Sequence, residues 1–123
     1  MSDGETSETS RGGAAPKIVP FPAAAQSQVS FDRTELNAIL NLYGRMVAAG
    51  EWRDYAMDFR RDKAVFSIYR RASEMPLYRI EKDPKLARRQ GAYAVIAASG
   101  LVMKRGTELA RVLAVLEPPP RAV

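Results

Sequence analysis

The most informative feature of this 123-residue chain is what it lacks, because it contains neither cysteine nor histidine. Without cysteine, a disulfide framework and a thiolate metal site are both excluded. Without histidine, the side chain that most often serves as a general base and as a transition-metal ligand is missing. Both absences count against an enzyme, and we expect no catalytic residue, no bound metal and no cofactor.

Long apolar runs are missing as well. No stretch reaches the roughly 20 apolar residues that a membrane helix needs, and the longest candidate, residues 92–103, is interrupted by Ser99 and Gly100. The first ten residues, MSDGETSETS, are acidic and polar, unlike the basic and then apolar order of a secretory signal. We therefore expect a cytoplasmic protein with no membrane contact.

Residues 1–30 have few large apolar side chains and many Ser, Thr, Gly, Ala and Pro residues, which predicts a disordered N-terminal tail. Its exception is PKIVPFP, Pro16 to Pro22, where Ile18, Val19 and Phe21 lie between prolines. This composition favours an extended conformation with apolar side chains available for contact. Two interpretations stay open: a linker that rests its phenylalanine on the domain, and a peptide that binds a protein partner.

The clearest element of the chain is a helix in SFDRTELNAILNLYGRMVAAG. Asp32 suits the N-cap, and Glu35 stands three residues later, as in a capping box. Gly50 is a natural C-terminal stop. Apolar residues recur at helical spacing and form one stripe: Leu36, Ile39, Leu40, Tyr43 and Val47.

From Trp52 onward the apolar period falls to two, which predicts two strands joined by a tight turn near residues 61–63. A turn at Arg61-Asp62 would place Met57 opposite Phe66, and a turn at Asp62-Lys63 would keep the same side chains on the same face. Further strands are expected at Pro76–Lys82 and in a hairpin that turns at Ser99-Gly100. The apolar run in Tyr93–Ala98 suggests a strand buried on both faces and central in the sheet.

After this hairpin, Thr107 is the expected cap of a closing helix that ends before Pro118. The predicted fold is α+β: a two-layer domain with an N-terminal helix, an antiparallel sheet of about five strands and a C-terminal helix, the helices covering one face of the sheet. We assign residues 31–117 to this single domain and residues 118–123 to a Pro-rich C-terminal tail.

The net charge of +5 is concentrated in the middle of the chain, because residues 60–89 carry ten Lys and Arg side chains against four Asp and Glu. Such a block attracts anionic partners, and a tyrosine can add a stacking plane. Cations of this kind also protect a strand edge from pairing with another chain. The candidate residues for binding nucleic acid or another anion are Arg60, Arg61, Lys63, Tyr69, Arg70, Arg71, Lys85, Arg88 and Arg89.

Three stretches resemble one known family: FDRTELNAILNLYGRMVAAGEWRDYAMDF, RRASEMPLYRIEKDPKLARRQGAY and GLVMKRGTELARVLAVLE. It is a family of short alphaproteobacterial proteins classed as domain of unknown function 2794, and the likeness covers residues 31–117. The resemblance implies a bacterial, intracellular protein. It supplies no activity, cofactor or catalytic residue.

Two functional hypotheses follow from the sequence. The first is a small basic, non-enzymatic binding protein that contacts nucleic acid or another anionic partner through residues 60–89. The second is a protein–protein interaction adaptor that uses a sheet edge or the Pro16–Pro22 peptide. An enzyme would instead show a deep pocket lined by close carboxylates or a lysine. The sequence does not specify an oligomeric state.

Overall fold

The computed structural model describes residues 28–71 and 75–118. Helix α1 comes first, a five-stranded sheet follows, and helix α2 closes the domain, as the sequence predicted. The predictions made for Ile18, Val19 and Phe21 lie outside the described residues, as do those for most of both tails. The elements are α1 (Arg33–Ala48), β1 (Asp54–Phe59), β2 (Ala64–Tyr69), β3 (Tyr78–Lys82), β4 (Tyr93–Ala97), β5 (Val102–Gly106) and α2 (Leu109–Leu113), with single 3-10 turns at Pro84–Leu86 and Ala114–Leu116.

Helix α1 begins with the predicted capping box. The Asp32 carboxylate accepts a hydrogen bond from the Glu35 N–H at 2.8 Å, and the Glu35 carboxylate accepts one from the Asp32 N–H at 2.8 Å. After the helix, Gly50 adopts a positive φ of 78°, a conformation that other residues rarely reach. Just before the helix, Val29 lies within the expected tail, yet its N–H donates to the Arg60 carbonyl at 2.7 Å.

The strands form an antiparallel sheet in the order β1-β2-β3-β4-β5. In the first hairpin Met57 pairs with Phe66 and Tyr55 pairs with Ile68, so of the two turn positions that the sequence left open, the structure has the one at Arg61-Asp62. The order is that of a meander, in which each strand lies beside its neighbour in sequence. Strands β1 and β5 are therefore the two edges of the sheet.

One face of the sheet carries the core, and both helices pack on it. Phe66, Ile68, Ile80 and Val95 have no measurable exposure there, and they meet α1, α2 and the turn after α2 in one apolar cluster. The opposite face, called the outer face below, carries the alternate residues of each strand, among them Val65, Ser67 and Tyr69 of β2. The alternation that predicted which side chains of β1 and β2 face the core is therefore confirmed.

Two details of the predicted layout are wrong. Residue Glu108, and not Thr107, occupies the N-cap position of α2, and it makes no side-chain capping hydrogen bond. Strand β4 is buried on both faces at Ala94, Val95 and Ile96, as expected, but it is the fourth of five strands and β3 is the middle one. Burial on both faces therefore marks an interior strand without specifying its position.

Within the described ranges, neither α1 nor α2 is long and apolar enough to cross a membrane.

Candidate interaction surface

Edge strand β1 is the most exposed strand of the sheet, because all six of its residues are solvent-exposed. Its apolar side chains Tyr55, Met57 and Phe59 point to the helix side, where they keep 41%, 38% and 37% of their surface exposed. Their partners on β2 are fully buried, since Phe66 and Ile68 have no exposure. The helix layer therefore covers β2 and leaves an apolar strip along β1, which we call the β1 edge (residues 54–59).

Aromatic packing fixes two side chains of the β1 edge. The Tyr55 ring stacks on Phe66 with centroids 4.8 Å apart and meets Tyr43 of α1 edge-to-face at 4.9 Å. The Phe59 ring meets Phe31 edge-to-face at 6.5 Å. Rings held in this way present a surface that loses little conformational freedom when a partner binds.

The backbone of the β1 edge also has groups that no strand of the described residues pairs with. The Arg60 N–H donates to the Lys63 carbonyl at 2.9 Å, so the N–H of Arg60 points toward β2. Along an antiparallel strand, residues whose N–H and C=O groups point to one neighbouring strand alternate with residues whose groups point to the other side. The backbone groups of Tyr55, Met57 and Phe59 therefore face away from β2. Among the described residues, no strand lies on that side of β1.

The nine sequence-predicted anion-binding residues do not form one surface. Arg70 and Arg71 follow the end of β2, beside Arg53 at the start of β1, and line an open depression of about 350 Å³ together with Asp54. Arg70 also lies 3.7 Å from the Glu51 carboxylate. We call this the β2-exit end of the sheet.

The other basic residues lie at the opposite end, which we call the loop end. It contains the β1–β2 turn and the loop from β3 to β4, because β2 begins where β3 ends. A six-residue strand is about 20 Å long, which is the approximate separation of the two ends. The loop end holds Arg60, Arg61, Lys63, Lys85, Arg88 and Arg89.

Ion pairs occupy two cations of the loop end. The Arg60 Nε donates to Asp58 at 2.7 Å, and this hydrogen bond raises the pKa of Arg60 further above its ordinary value. The Lys63 Nζ lies 3.4 Å from Glu81, whose buried carboxylate also lies 3.4 Å from Arg79. Among the described residues, no carboxylate lies within ion-pairing distance of Arg61, Lys85, Arg88 or Arg89.

A buried polar cluster, absent from the sequence-based expectations, connects α1 to the sheet. The Glu35 carboxylate accepts hydrogen bonds from Lys82 Nζ at 2.7 Å and from the Tyr93 hydroxyl, and Lys82 also donates to the Ser30 carbonyl at 2.9 Å. Burial alone would raise the pKa of Glu35, but the hydrogen bonds from Lys82, Tyr93 and the Asp32 N–H lower it below its usual value. Burial and the Glu35 carboxylate raise the pKa of Tyr93 to about 12.

The surface of the described residues offers shallow depressions lined by charged and small side chains. The one of about 250 Å³ at the start of α2 is lined by Lys104, Arg105 and Glu108 among others, and it opens to solvent. Of the two buried carboxylates, Glu35 is engaged by Lys82 and Glu81 by Lys63 and Arg79.

Sequence reasoning missed the exposed strip on Tyr55, Met57 and Phe59, although it assigned these side chains to the correct face. The sequence predicted two helices as the cover for about five strands, and in the structure these helices have 16 and five residues. Five strands span about 19 Å and a helix with its side chains is about 10–12 Å wide. This comparison of widths could have indicated that an edge strand would remain partly uncovered.

Comparison with known proteins gives a family and no activity. No curated protein and no solved structure matches the chain significantly. A family model described as a protein of unknown function (DUF2794) matches residues 29–113, a range that includes the five strands and two helices of the described residues. The chain therefore belongs to this family of proteins of unknown function.

Proposed function

We propose that this chain is a non-enzymatic protein-interaction module that takes an extended segment of a protein partner as an additional strand at the β1 edge. The observation that carries the proposal is the exposure of all six residues of β1, in a sheet whose β2 is buried next to it. Strand addition uses the unpaired backbone groups of such an edge for affinity and its side chains for specificity.

The side chains of the β1 edge suit an alternating apolar segment. Tyr55, Met57 and Phe59 are spaced two residues apart on one face, so they contact every second side chain of an added strand. On the outer face the same strand carries Asp54, Ala56 and Asp58. The expected partner segment is therefore apolar on the helix side, and on the outer side it places a basic residue opposite Asp54 and no acid opposite Asp58.

The distribution of basic residues favours this function over a broad nucleic-acid surface. A continuous phosphate-binding face would require Arg70 and Arg71 to lie beside Lys85, Arg88 and Arg89, whereas the two groups lie at opposite ends of the sheet.

The absence of cysteine and the family resemblance support a cytoplasmic location in a bacterium.

The proposal is tested by using the full chain as bait, with Met57→Arg as the blocking variant and Leu101→Arg as its matched control. Leu101 is also exposed and apolar, but it lies in the β4–β5 turn, away from β1. We expect Met57→Arg to lose partners that the wild type and Leu101→Arg retain. Amide hydrogen exchange of the recovered complex should show protection in residues 54–59. Partners that survive Met57→Arg, without protection in β1, would refute strand addition there.

A second candidate function is supported by four cations of the loop end that no carboxylate of the described residues pairs with. We propose that Arg61, Lys85, Arg88 and Arg89 form a compact site for a polyanion such as a nucleic-acid strand. Exposed guanidinium and ammonium groups that no described carboxylate neutralises are available for phosphate contacts. Binding to single-stranded RNA and DNA, measured at several salt concentrations, tests this candidate.

A further inference from the structure

We propose that the strand bound at the β1 edge is the β1 strand of a second copy of this chain. The two strands run antiparallel about a two-fold axis, with Met57 opposite Met57 of the second copy. This inference rests on the proposed function, because it names the partner of the same edge. It joins two five-stranded sheets into one continuous sheet.

The backbone of β1 is compatible with this pairing. Tyr55, Met57 and Phe59 direct their N–H and C=O groups to the open edge. In an antiparallel pair centred on Met57, these three residues of one copy meet Phe59, Met57 and Tyr55 of the other. All of them are then in hydrogen-bonded positions. An edge that complements itself in this way is the requirement for a two-fold interface.

Charges on the outer face complement each other in the same arrangement. Asp54 of one copy lies opposite Arg60 of the other, and the two-fold axis generates this pair twice. Among the described residues no basic group lies within ion-pairing distance of Asp54. Arg60 donates from Nε to its own Asp58, which leaves its terminal N–H groups for the second carboxylate. The remaining outer-face pair, Ala56 with Asp58, carries no like charges.

The neighbouring registers are disfavoured by repulsion. Centring the pair on Ala56 places Asp54 opposite Asp58 twice. Centring it on Asp58 places the two Asp58 residues opposite each other and Asp54 opposite Asp62. Like charges directly opposite on paired strands are destabilising. Of these three registers, the sequence of β1 therefore favours the one centred on Met57.

The other edge of the sheet lacks this property. Strand β5 carries Lys104 and Arg105 and no acid, and its pairing with β4 is interrupted by a register shift at Val95 and Ile96. Cations and irregular pairing are two ways in which proteins prevent a strand edge from binding another chain. A second copy is thus expected at β1 and not at β5.

A single engineered cysteine tests the register directly, since the chain has no cysteine of its own. Directly opposed residues in a hydrogen-bonded position have Cα atoms about 5.5 Å apart, which is within the range of a disulfide. Under mild oxidation we expect the full-length Met57→Cys variant to form a covalent dimer at least tenfold faster than Leu101→Cys. Equal rates for the two variants would overturn the proposal. Circular dichroism checks that both variants are folded.

Charge reversal gives an independent measurement on the unmodified edge. Asp54→Arg and Arg60→Asp each convert two attractive pairs into two repulsive ones, so we expect each to weaken dimerisation roughly tenfold or more in sedimentation equilibrium. The double variant exchanges the two charges and should dimerise more tightly than either single variant, although it still lacks the Arg60–Asp58 ion pair within each copy. Failure of the double variant to recover would contradict the Asp54–Arg60 pairing.

The experiments separate this inference from the function on which it rests. A wild-type chain that stays monomeric at all concentrations refutes the second copy. If Met57→Arg still loses partners in that case, the β1 edge binds another protein and the proposed function stands. If Phe21→Asp turns a monomeric full-length chain into a dimer, the N-terminal segment of the chain occupies the edge, which also refutes the second copy.

Discussion

At the scale of single residues, Glu35 has more structural roles than its position near the start of α1 suggests. Its carboxylate completes the capping box of α1 and accepts hydrogen bonds from Lys82 at the end of β3 and Tyr93 at the start of β4. The side chain is 10% exposed, so its charge is balanced by Lys82 more than by water. Glu35 therefore holds the helix layer to the sheet.

We expect Glu35→Gln to destabilise the fold by about 2 kcal/mol at pH 7, because it leaves the partly buried Lys82 ammonium without its counter-charge. Glutamine still accepts the capping-box hydrogen bond. The pKa of Glu35 is lower in the folded chain than its usual value of 4.5. The stability it contributes is therefore complete above pH 4.5 and is lost as the pH falls through the folded pKa. Urea unfolding of both proteins between pH 7 and pH 3 should show their difference shrinking with acidification.

The control for this prediction is Glu35→Ala, which also removes the hydrogen bond from the Asp32 N–H to the Glu35 side chain and should cost about 1 kcal/mol more. A difference between wild type and Glu35→Gln that stays constant across the acid range would show that Glu35 does not contribute through its charge.

The sequence predicted one part of this cluster and not the other, for a physical reason. A capping box joins residues three apart, so Asp32 and Glu35 reveal it in the local pattern. The hydrogen bonds from Lys82 and Tyr93 join residues 47 and 58 positions away, and they form only after the sheet has placed the ends of β3 and β4 together. Local spacing carries no information about that placement.

At the scale of elements, a close approach between two glycines determines how the β3–β4 loop enters the sheet. Gly91 has a positive φ of 103°, and a Cβ there would overlap the backbone carbonyl of Gly106 at the end of β5. Gly100, in the β4–β5 turn, has a similar φ of 93° but has nothing within 4 Å of a Cβ. The two positions share the backbone requirement and differ in the space around them.

Replacing Gly100 with alanine measures the cost of the backbone conformation alone, and replacing Gly91 with alanine adds the overlap of the new Cβ with Gly106. We expect Gly100→Ala to cost about 1–2 kcal/mol, because alanine must adopt an unfavourable φ. Gly91→Ala should cost about 2–3 kcal/mol more, because the loop and β5 must also move apart. Urea denaturation measures both values. Equal destabilisation at the two positions would mean that the loop adjusts without strain.

The elements themselves were predictable to different extents. The faces of β1 and β2 followed from the two-residue period, which is a local property, and the turn at Arg61-Asp62 then fixed the pairing of Met57 with Phe66. The exposure of β1 did not follow, because it depends on where α1 and α2 rest across the sheet. The candidate interaction surface is the part of β1 that this placement leaves uncovered.

At the scale of the whole molecule, the basic charge is divided between two ends of the sheet. The block of cations in residues 60–89 is continuous in sequence, but β2 and β3 carry it from the loop end to the β2-exit end and back. Charges that are adjacent along a hairpin chain can therefore face different partners. Arg88 and Arg89 at the loop end and Arg70 and Arg71 at the β2-exit end can therefore be substituted with the same change of net charge at two different places.

The double variants Arg88→Glu/Arg89→Glu and Arg70→Glu/Arg71→Glu change the net charge by the same amount at opposite ends. If the loop end binds a polyanion, we expect Arg88→Glu/Arg89→Glu to weaken binding to single-stranded RNA or DNA at least tenfold. The slope of the logarithm of the binding constant against the logarithm of the salt concentration should also become shallower, by about one for each phosphate that the variant no longer binds. The second should leave the affinity within about threefold of wild type, since screening limits the reach of distant exposed charges. Filter binding at four or more salt concentrations gives both quantities. Equal weakening in the two variants would indicate attraction by net charge alone and would refute a site at the loop end, and unchanged binding in both would refute it as well.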